Sequence, residues 1–241
     1  MRVCAFGQSD LGLVRQSNED HFGLFPQQNL YIVADGMGGH AAGEVASRIA
    51  VESVRKYFEA PEHARQNPAD RLREAIKVAN SAVVSAGECD PSLNGMGTTI
   101  VAICALLNTV VIGHVGDSRI YRYRKNQVEQ LTQDHSLIND YVRQGLITPE
   151  SAAHHSMRHV ISRALGTSVQ VQVDIARHAP QAGDIFLLCS DGLSNKVTSA
   201  EMNTLLATAM GDLEKTAGAL VTRAKDNGGE DNITVILVRY E

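Results

Sequence analysis

The hexapeptide Asp35-Gly36-Met37-Gly38-Gly39-His40 constrains this chain more than any other stretch. It follows the apolar run 30–34 and precedes an amphipathic pattern that begins near Ala42. A short apolar run bounded by glycines reads as a buried strand. The spacing therefore predicts a carboxylate at a strand terminus, with glycines that let the backbone approach whatever that carboxylate holds. Two later stretches repeat the pattern: residues 185–190 run into Asp191-Gly192, and Asp231-Asn232 opens the apolar run 233–238. Three aspartates at three strand ends suit a shared oxygen-ligand site for a hard divalent cation such as Mg²⁺ or Mn²⁺. Turn chemistry alone explains any one Asp-Gly pair, but it is the weaker account of all three.

A chain of 241 residues is long enough for one large core, or at most two small domains. Its 44% hydrophobic and 20% charged residues exclude a disordered chain. A net charge of −5, with no basic stripe, argues against a nucleic-acid partner. The first seven residues lack the apolar segment of a secretory signal, and the most apolar stretch, 100–112, is too short to span a bilayer and is broken by Asn108-Thr109. Cys4, Cys89, Cys104 and Cys189 form no CxxC pair, which fits buried reduced thiols in a cytoplasmic protein.

Strands are expected at 3–7, 22–25 and 30–34, and helices at 44–58 and 69–86, where apolar residues recur at helical spacing. Gly95-Met96-Gly97-Thr98-Thr99 leads into strands at 100–107 and 110–114, so its glycines are no dinucleotide fingerprint. Further strands are expected at 120–123 and 128–131 with a hairpin turn at Lys125-Asn126, then at 169–175, 185–190 and 231–239, with helices at 199–210 and 213–225. Residues 134–165 carry few periodic apolar positions and read as a flap-like surface excursion, His135, His154 and His155 being surface or structural. Strands in hairpin-like groups with helices grouped between them predict an α+β sandwich in a single domain over 1–241.

Eight motifs then occur in a telling order. They are Arg15-x-x-Asn18-Glu19-Asp20, Asp35-Gly36-Met37-Gly38-Gly39-His40, Gly95-Met96-Gly97-Thr98-Thr99, Gly116-Asp117-Ser118-Arg119, Asp134-His135-Ser136, Ser162-Arg163-Ala164-Leu165-Gly166, Ser190-Asp191-Gly192-Leu193 and Asp231-Asn232-Ile233-Thr234. Over nearly the whole chain this resembles the metal-dependent serine/threonine protein phosphatases of the protein phosphatase 2C (PPM) family, in their compact bacterial form. The resemblance implies a four-layer α-β-β-α sandwich, two antiparallel sheets flanked by helix pairs, with two core Mn²⁺ or Mg²⁺ ions in a cleft at one end. It implies that Asp35 bridges the ions, that the Gly36 carbonyl completes one, and that Asp191 and Asp231 complete the other. By the same resemblance Glu19 and Asp20 orient metal-bound waters, Arg15 binds the substrate phosphate, and Asp117 with Asp191 holds a weaker third ion.

Phosphate monoesters are doubly charged and resist attack. Two ions roughly 3.5–4 Å apart can share a hydroxide for direct attack while neutralising charge, and carboxylates suit such ions. Arg15 offers a planar fork for phosphate oxygens. No GxSxG elbow, HExxH helix or P-loop is present, so no covalent nucleophile is expected. Animal members carry a histidine two residues after the bridging aspartate; here that position is Met37, and His40 is the nearest candidate acid, with helix capping as its alternative role. The resemblance implies phosphorylated proteins as partners, among them a Ser/Thr protein kinase and its substrates, no membrane insertion, and a monomer. A phosphoprotein-binding chain without turnover would lack a metal aspartate, and all are present.

Overall fold

The computed structural model describes residues 2–38, 42–148, 151, 155, 157, 160–207 and 212–241. In chain order the elements are β1 (Val3–Asp10), β2 (Asp20–Phe25), β3 (Leu30–Met37), α1 (Ala42–Glu59), α2 (Pro68–Cys89), β4 (Gly97–Thr98), β5 (Ile100–Ala105), β6 (Val110–Val115), β7 (Arg119–Arg124) and β8 (Gln127–Gln130). They continue with α3 (Leu137–Arg143), β9 (Asp174–His178), β10 (Ile185–Cys189), α4 (Asp191–Ser194), α5 (Ser199–Ala207), α6 (Leu213–Asp226) and β11 (Ile233–Tyr240).

One sheet has the order β1-β11-β10-β7-β8, the other β2-β3-β5-β6-β9 with β4 against β3, and every pairing is antiparallel. Alternation along each strand sends side chains to two faces, and both faces of both sheets are covered. Between the sheets lie Val33, Val101, Ile103, Ile120, Phe186, Leu188, Ile236 and Val238. Outside the second sheet, α1 and α2 bury Ala46, Ala50, Val54, Leu72, Ile76 and Val83. Outside the first, Met202 and Leu206 of α5 and Ala217, Leu220 and Val221 of α6 cover Leu187, Val235 and Leu237. The result is the four-layer α-β-β-α sandwich implied by the motifs.

Local chemistry fixes the boundaries. Asn67 caps α2 by accepting the Ala69 amide at 3.1 Å, with Pro68 in the first turn where no amide donor is needed. Lys125 and Asn126 adopt φ of 49° and 61°, the left-handed conformations of a tight hairpin joining β7 to β8. Two strand expectations need correction. The strand expected at 30–34 continues to Met37, because Asp35 pairs with Asp20, Gly36 with Thr98 and Met37 with Gly97; Asp35 therefore sits inside a strand. The strand expected at 169–175 starts only at Asp174, because the Asn80 side chain holds the carbonyls of Ser168 and Val169 in a loop. Cys104 and Cys189 are buried and unbonded as expected, but Cys89, at the end of α2, is exposed.

Tyr240 ties the two sheets together. Its hydroxyl donates to the Leu106 carbonyl at 3.0 Å, and its ring meets the edge of Phe186 at 5.9 Å. Phe186 is fully buried, so truncating it leaves a cavity in the inter-sheet layer. Phe186→Ala is expected to lower the unfolding free energy by about 3–5 kcal/mol, measured by urea denaturation. Lys77→Ala, on the exposed face of α2, should stay within about 0.5 kcal/mol.

Candidate active site

At one end of the sandwich a cavity of about 590 Å³ is lined by Arg15, Asp35, Met37, Asp117, Ile161, Asp191, Gly192, Asn195, Lys196, Glu230 and Asp231. Five carboxylates there face two cationic side chains. The four aspartates come from β3, the β6–β7 turn, the first residue of α4 and the loop before β11.

The register of β2 against β3 sets Asp20 directly opposite Asp35. Behind Asp35, its carbonyl accepts from the Thr98 hydroxyl and the Thr99 amide, both at 2.9 Å, and its amide donates to the Thr99 hydroxyl at 3.0 Å. The Thr99 hydroxyl also bonds Ser118 at 2.7 Å, which couples the backbone under Asp35 to the turn that carries Asp117. Ser190, just before Asp191, donates to Asp20 Oδ2 at 2.7 Å and accepts the Thr234 amide at 3.0 Å, joining β2, β10 and β11 at the cavity floor. Asn232 accepts the Glu19 amide at 2.9 Å and donates to the carbonyls of Leu11 and Ser17 at 3.0 Å, so the loop 11–19 is held against Asp231.

Of the expected site residues, Asp35, Asp117, Asp191, Asp231 and Arg15 share the cavity. Gly36 is buried in β3, its amide bonded to the Glu19 carbonyl at 3.1 Å, and a Cβ there would lie 2.1 Å from the Gly43 carbonyl oxygen. Glu19 and Asp20 stand behind the cavity, at the start of β2. A Cβ on Gly192 would lie 2.0 Å from the Asn232 carbonyl oxygen, so only glycine lets the Asp191 and Asp231 segments come this close. Arg15 donates to Asp231 Oδ2 at 2.8 Å with half its side chain exposed, at the mouth of the cavity. His40 and His154 lie outside the described residues. Met37, Ile161, Asn195, Lys196 and Glu230 are cavity residues without an expected role. Lys196 pairs with Glu230 and Asn195 donates to Asp191 Oδ2 at 3.1 Å. Lys196 and Glu230 had no motif around them, whereas Ser190 and Asn232 adjoin aspartates already singled out.

The carboxylates crowd one another. Desolvation, with the charges of Asp20, Asp191, Asp117 and Asp231 added, raises Asp35 well above the usual carboxylate range. Burial first, and then the charges of Asp191 and Asp134, push Asp117 up to about 7. Burial also raises Asp20 to about 7, opposed by the neighbouring Thr234 and Ser190 hydroxyls, and its Oδ1 is buried without a hydrogen-bond partner. An all-oxygen, anionic donor set whose members repel each other fits one or more hard dications.

The protein phosphatase 2C family model matches residues 14–225. The chain belongs to that family. It is 42% identical over 238 residues to the serine/threonine phosphatase Stp of Listeria welshimeri, covering 96% of this chain and 93% of that one. It is 39% identical over 230 residues to the serine/threonine protein phosphatase PstP of Mycobacterium tuberculosis, covering 95% of this chain and 43% of PstP. A crystal structure of the PstP catalytic domain in complex with two manganese ions superposes with a TM-score of 0.85 at 36% identity, covering 98% of this chain and 97% of that one. Fold class and enzyme class, an α-β-β-α protein-serine/threonine phosphatase, are thus those implied by the motifs. No helix among the described residues is long and apolar enough to cross a membrane.

The raised carboxyls predict a pH signature. Their folded values lie above their unfolded ones, so they stabilise the metal-free fold below their unfolded range, and that contribution is lost as pH rises through about 7. Cations need the ionised forms and bind the folded chain alone. The gap in Tm between Mg²⁺-saturated and metal-free protein should therefore widen from pH 5 to pH 8 by calorimetry. A gap independent of pH contradicts the site.

Proposed function

We propose that this chain hydrolyses phosphoserine and phosphothreonine in proteins, using divalent cations held by Asp35, the Gly36 carbonyl, Asp191 and Asp231. The observation that carries the reading is the convergence of Asp35, Asp117, Asp191 and Asp231 with Arg15 on one cavity, from positions spread over the whole chain. Two Mg²⁺ or Mn²⁺ ions, when bound, supply charge neutralisation and a water acidic enough to lose its proton near neutral pH. The chain does the rest. Arg15, exposed at the mouth and tethered to Asp231, presents its guanidinium to the incoming phosphate and fixes its orientation. Glu19 and Asp20, behind the cavity, accept hydrogen bonds from waters on the floor, and the buried, unpartnered Asp20 Oδ1 supports that role. Asp117 holds a weaker third ion, and His40 donates a proton to the departing hydroxyl oxygen of the serine or threonine. The serine/threonine phosphatases Stp and PstP that the chain resembles support the enzyme class; a single catalytic domain that works in the cytoplasm as a monomer and reverses the action of a Ser/Thr protein kinase completes the proposal.

Release of phosphate from a phosphothreonine peptide tests the reading: turnover with Mn²⁺, none after EDTA. Asp35→Asn should reduce it by at least about 10³-fold while circular dichroism stays native; full activity at low metal contradicts the assignment.

The acid role of His40 has its own signature. A serine or threonine alkoxide needs a proton as it leaves, whereas nitrophenolate does not. His40→Ala should slow peptide hydrolysis by roughly 10²-fold and p-nitrophenyl phosphate hydrolysis far less. Equal losses on both substrates would assign His40 to packing.

A further inference from the structure

His135 and Asp174 lie outside the cavity, and neither was given a chemical role by the motifs. His135 was expected to be a surface or structural residue, and at 1% exposed it is structural. Its ring stacks on that of His114, with centroids 4.4 Å apart and planes 22° apart. The register of β6 against β9 sets His114 opposite Asp174, which brings the Asp174 Oδ2 to 3.1 Å from His135 Nε2. His114, His135 and Asp174 place ligand atoms within 4.8 Å of one another, the spacing of a small metal site. The bonding around His135 points elsewhere.

The Gly116 amide donates to His135 Nδ1 at 3.0 Å. Nδ1 is therefore the acceptor, and in a neutral imidazole the proton sits on Nε2. Nε2–H then donates to the Asp174 carboxylate and offers a metal no lone pair. Arg163 Nη1, 3.1 Å from Nε2, faces a donor with a donor, so its bonds are those to Asp174 Oδ1 at 2.8 Å and to the Gln172 carbonyl at 3.2 Å. The remaining backbone group of Gly116 is held by the same residue, because the His135 amide donates to the Gly116 carbonyl at 2.8 Å. Gly116 needs holding. Its φ is +110°, and a Cβ there would lie 2.6 Å from the Thr99 side chain. The next residue is Asp117, which lines the cavity.

We propose that Asp174 and His135 are positioning residues for Asp117: the carboxylate fixes the ring tautomer, the ring and backbone of His135 clamp both sides of Gly116, and the clamp aims Asp117 into the cavity. The inference rests on the reading that Asp117 serves the reaction. It also gives His135 a task at the core, although it stands at the start of the excursion.

Asparagine places its side-chain oxygen near the position of a histidine Nδ1, whereas glutamine reaches toward Nε2. In the Mg²⁺-loaded chain, His135→Gln and Asp174→Ala should lower kcat on a phosphothreonine peptide by roughly 10- to 100-fold with little change in KM. His135→Asn should stay close to the parent chain. In an Asp117→Ala background His135→Gln should add nothing, because a residue acting through another is non-additive with it. Ring nitrogen-15 shifts give a readout independent of turnover: protonated Nε2 in the parent chain, and loss of that preference in Asp174→Ala. Equal losses in His135→Asn and His135→Gln overturn the proposal, as do additive effects with Asp117→Ala or an unchanged ring pattern in Asp174→Ala. Should the buried His135 variants fail to fold, the exposed Asp174 carboxylate decides it through the ring pattern. If Asp117→Ala itself leaves kcat unchanged while the ring pattern behaves as expected, the role of Asp117 fails and the clamp stands.

Discussion

Asp20 faces Asp35 across the β2–β3 pair, and three more aspartates arrive around them from distant strands. Like charges brought together out of water repel, and the protein answers in two ways. It lets the carboxyls hold protons near neutral pH, and it surrounds the backbones beneath them with hydrogen bonds that do not yield. A dication held by these carboxylates would neutralise that repulsion. The frame of hydrogen bonds beneath the carboxylates would hold the donor set in place for such an ion, which is what preorganisation means in physical terms.

The frame is built from small residues. Thr98, Thr99, Ser118, Ser190 and Thr234 are all buried, and their hydroxyls and amides link the strands at the floor of the cavity. Each hydroxyl can donate and accept at once, so a few of them satisfy several strand ends where the regular ladders stop. Larger polar residues would not fit where glycines such as Gly36 and Gly192 let two backbones touch. The aspartates line the cavity, but the small polar residues decide where they stand.

Much of this was legible in the sequence because the signals were local. Apolar runs ending in Asp-Gly marked β3 and β10, and helical spacing of Ala50, Val54 and Phe58 marked α1. The order of eight motifs identified the family. The misses have a common cause: they depend on groups far away in the chain. Nothing near Val169 announces that Asn80, on α2, will hold it in a loop. Nothing near Asp35 says that β4 will pair beyond it and carry the strand on to Met37. His135 reads as a polar residue in a polar stretch, and only its bonds to Gly116 and Asp174 explain its burial. Lys196 and Glu230 come together from opposite sides of α6 and carry no local signature.

The pairing of β1 with β11 has a consequence for how such a molecule comes into being. The last strand sits between β1 and β10, with Val3 opposite Tyr240 and Asp10 opposite Ile233. A ribosome releases the chain from one end only, so β1 waits for its neighbour until β11 has been made. Until then β1 lacks the strand that joins it to β10, and Asp231, at the threshold of β11, has not joined the cavity. The pairing of β1 and the arrival of Asp231 in the cavity therefore come in the same event, and a nascent chain that stops short of β11 carries an unpaired β1 edge.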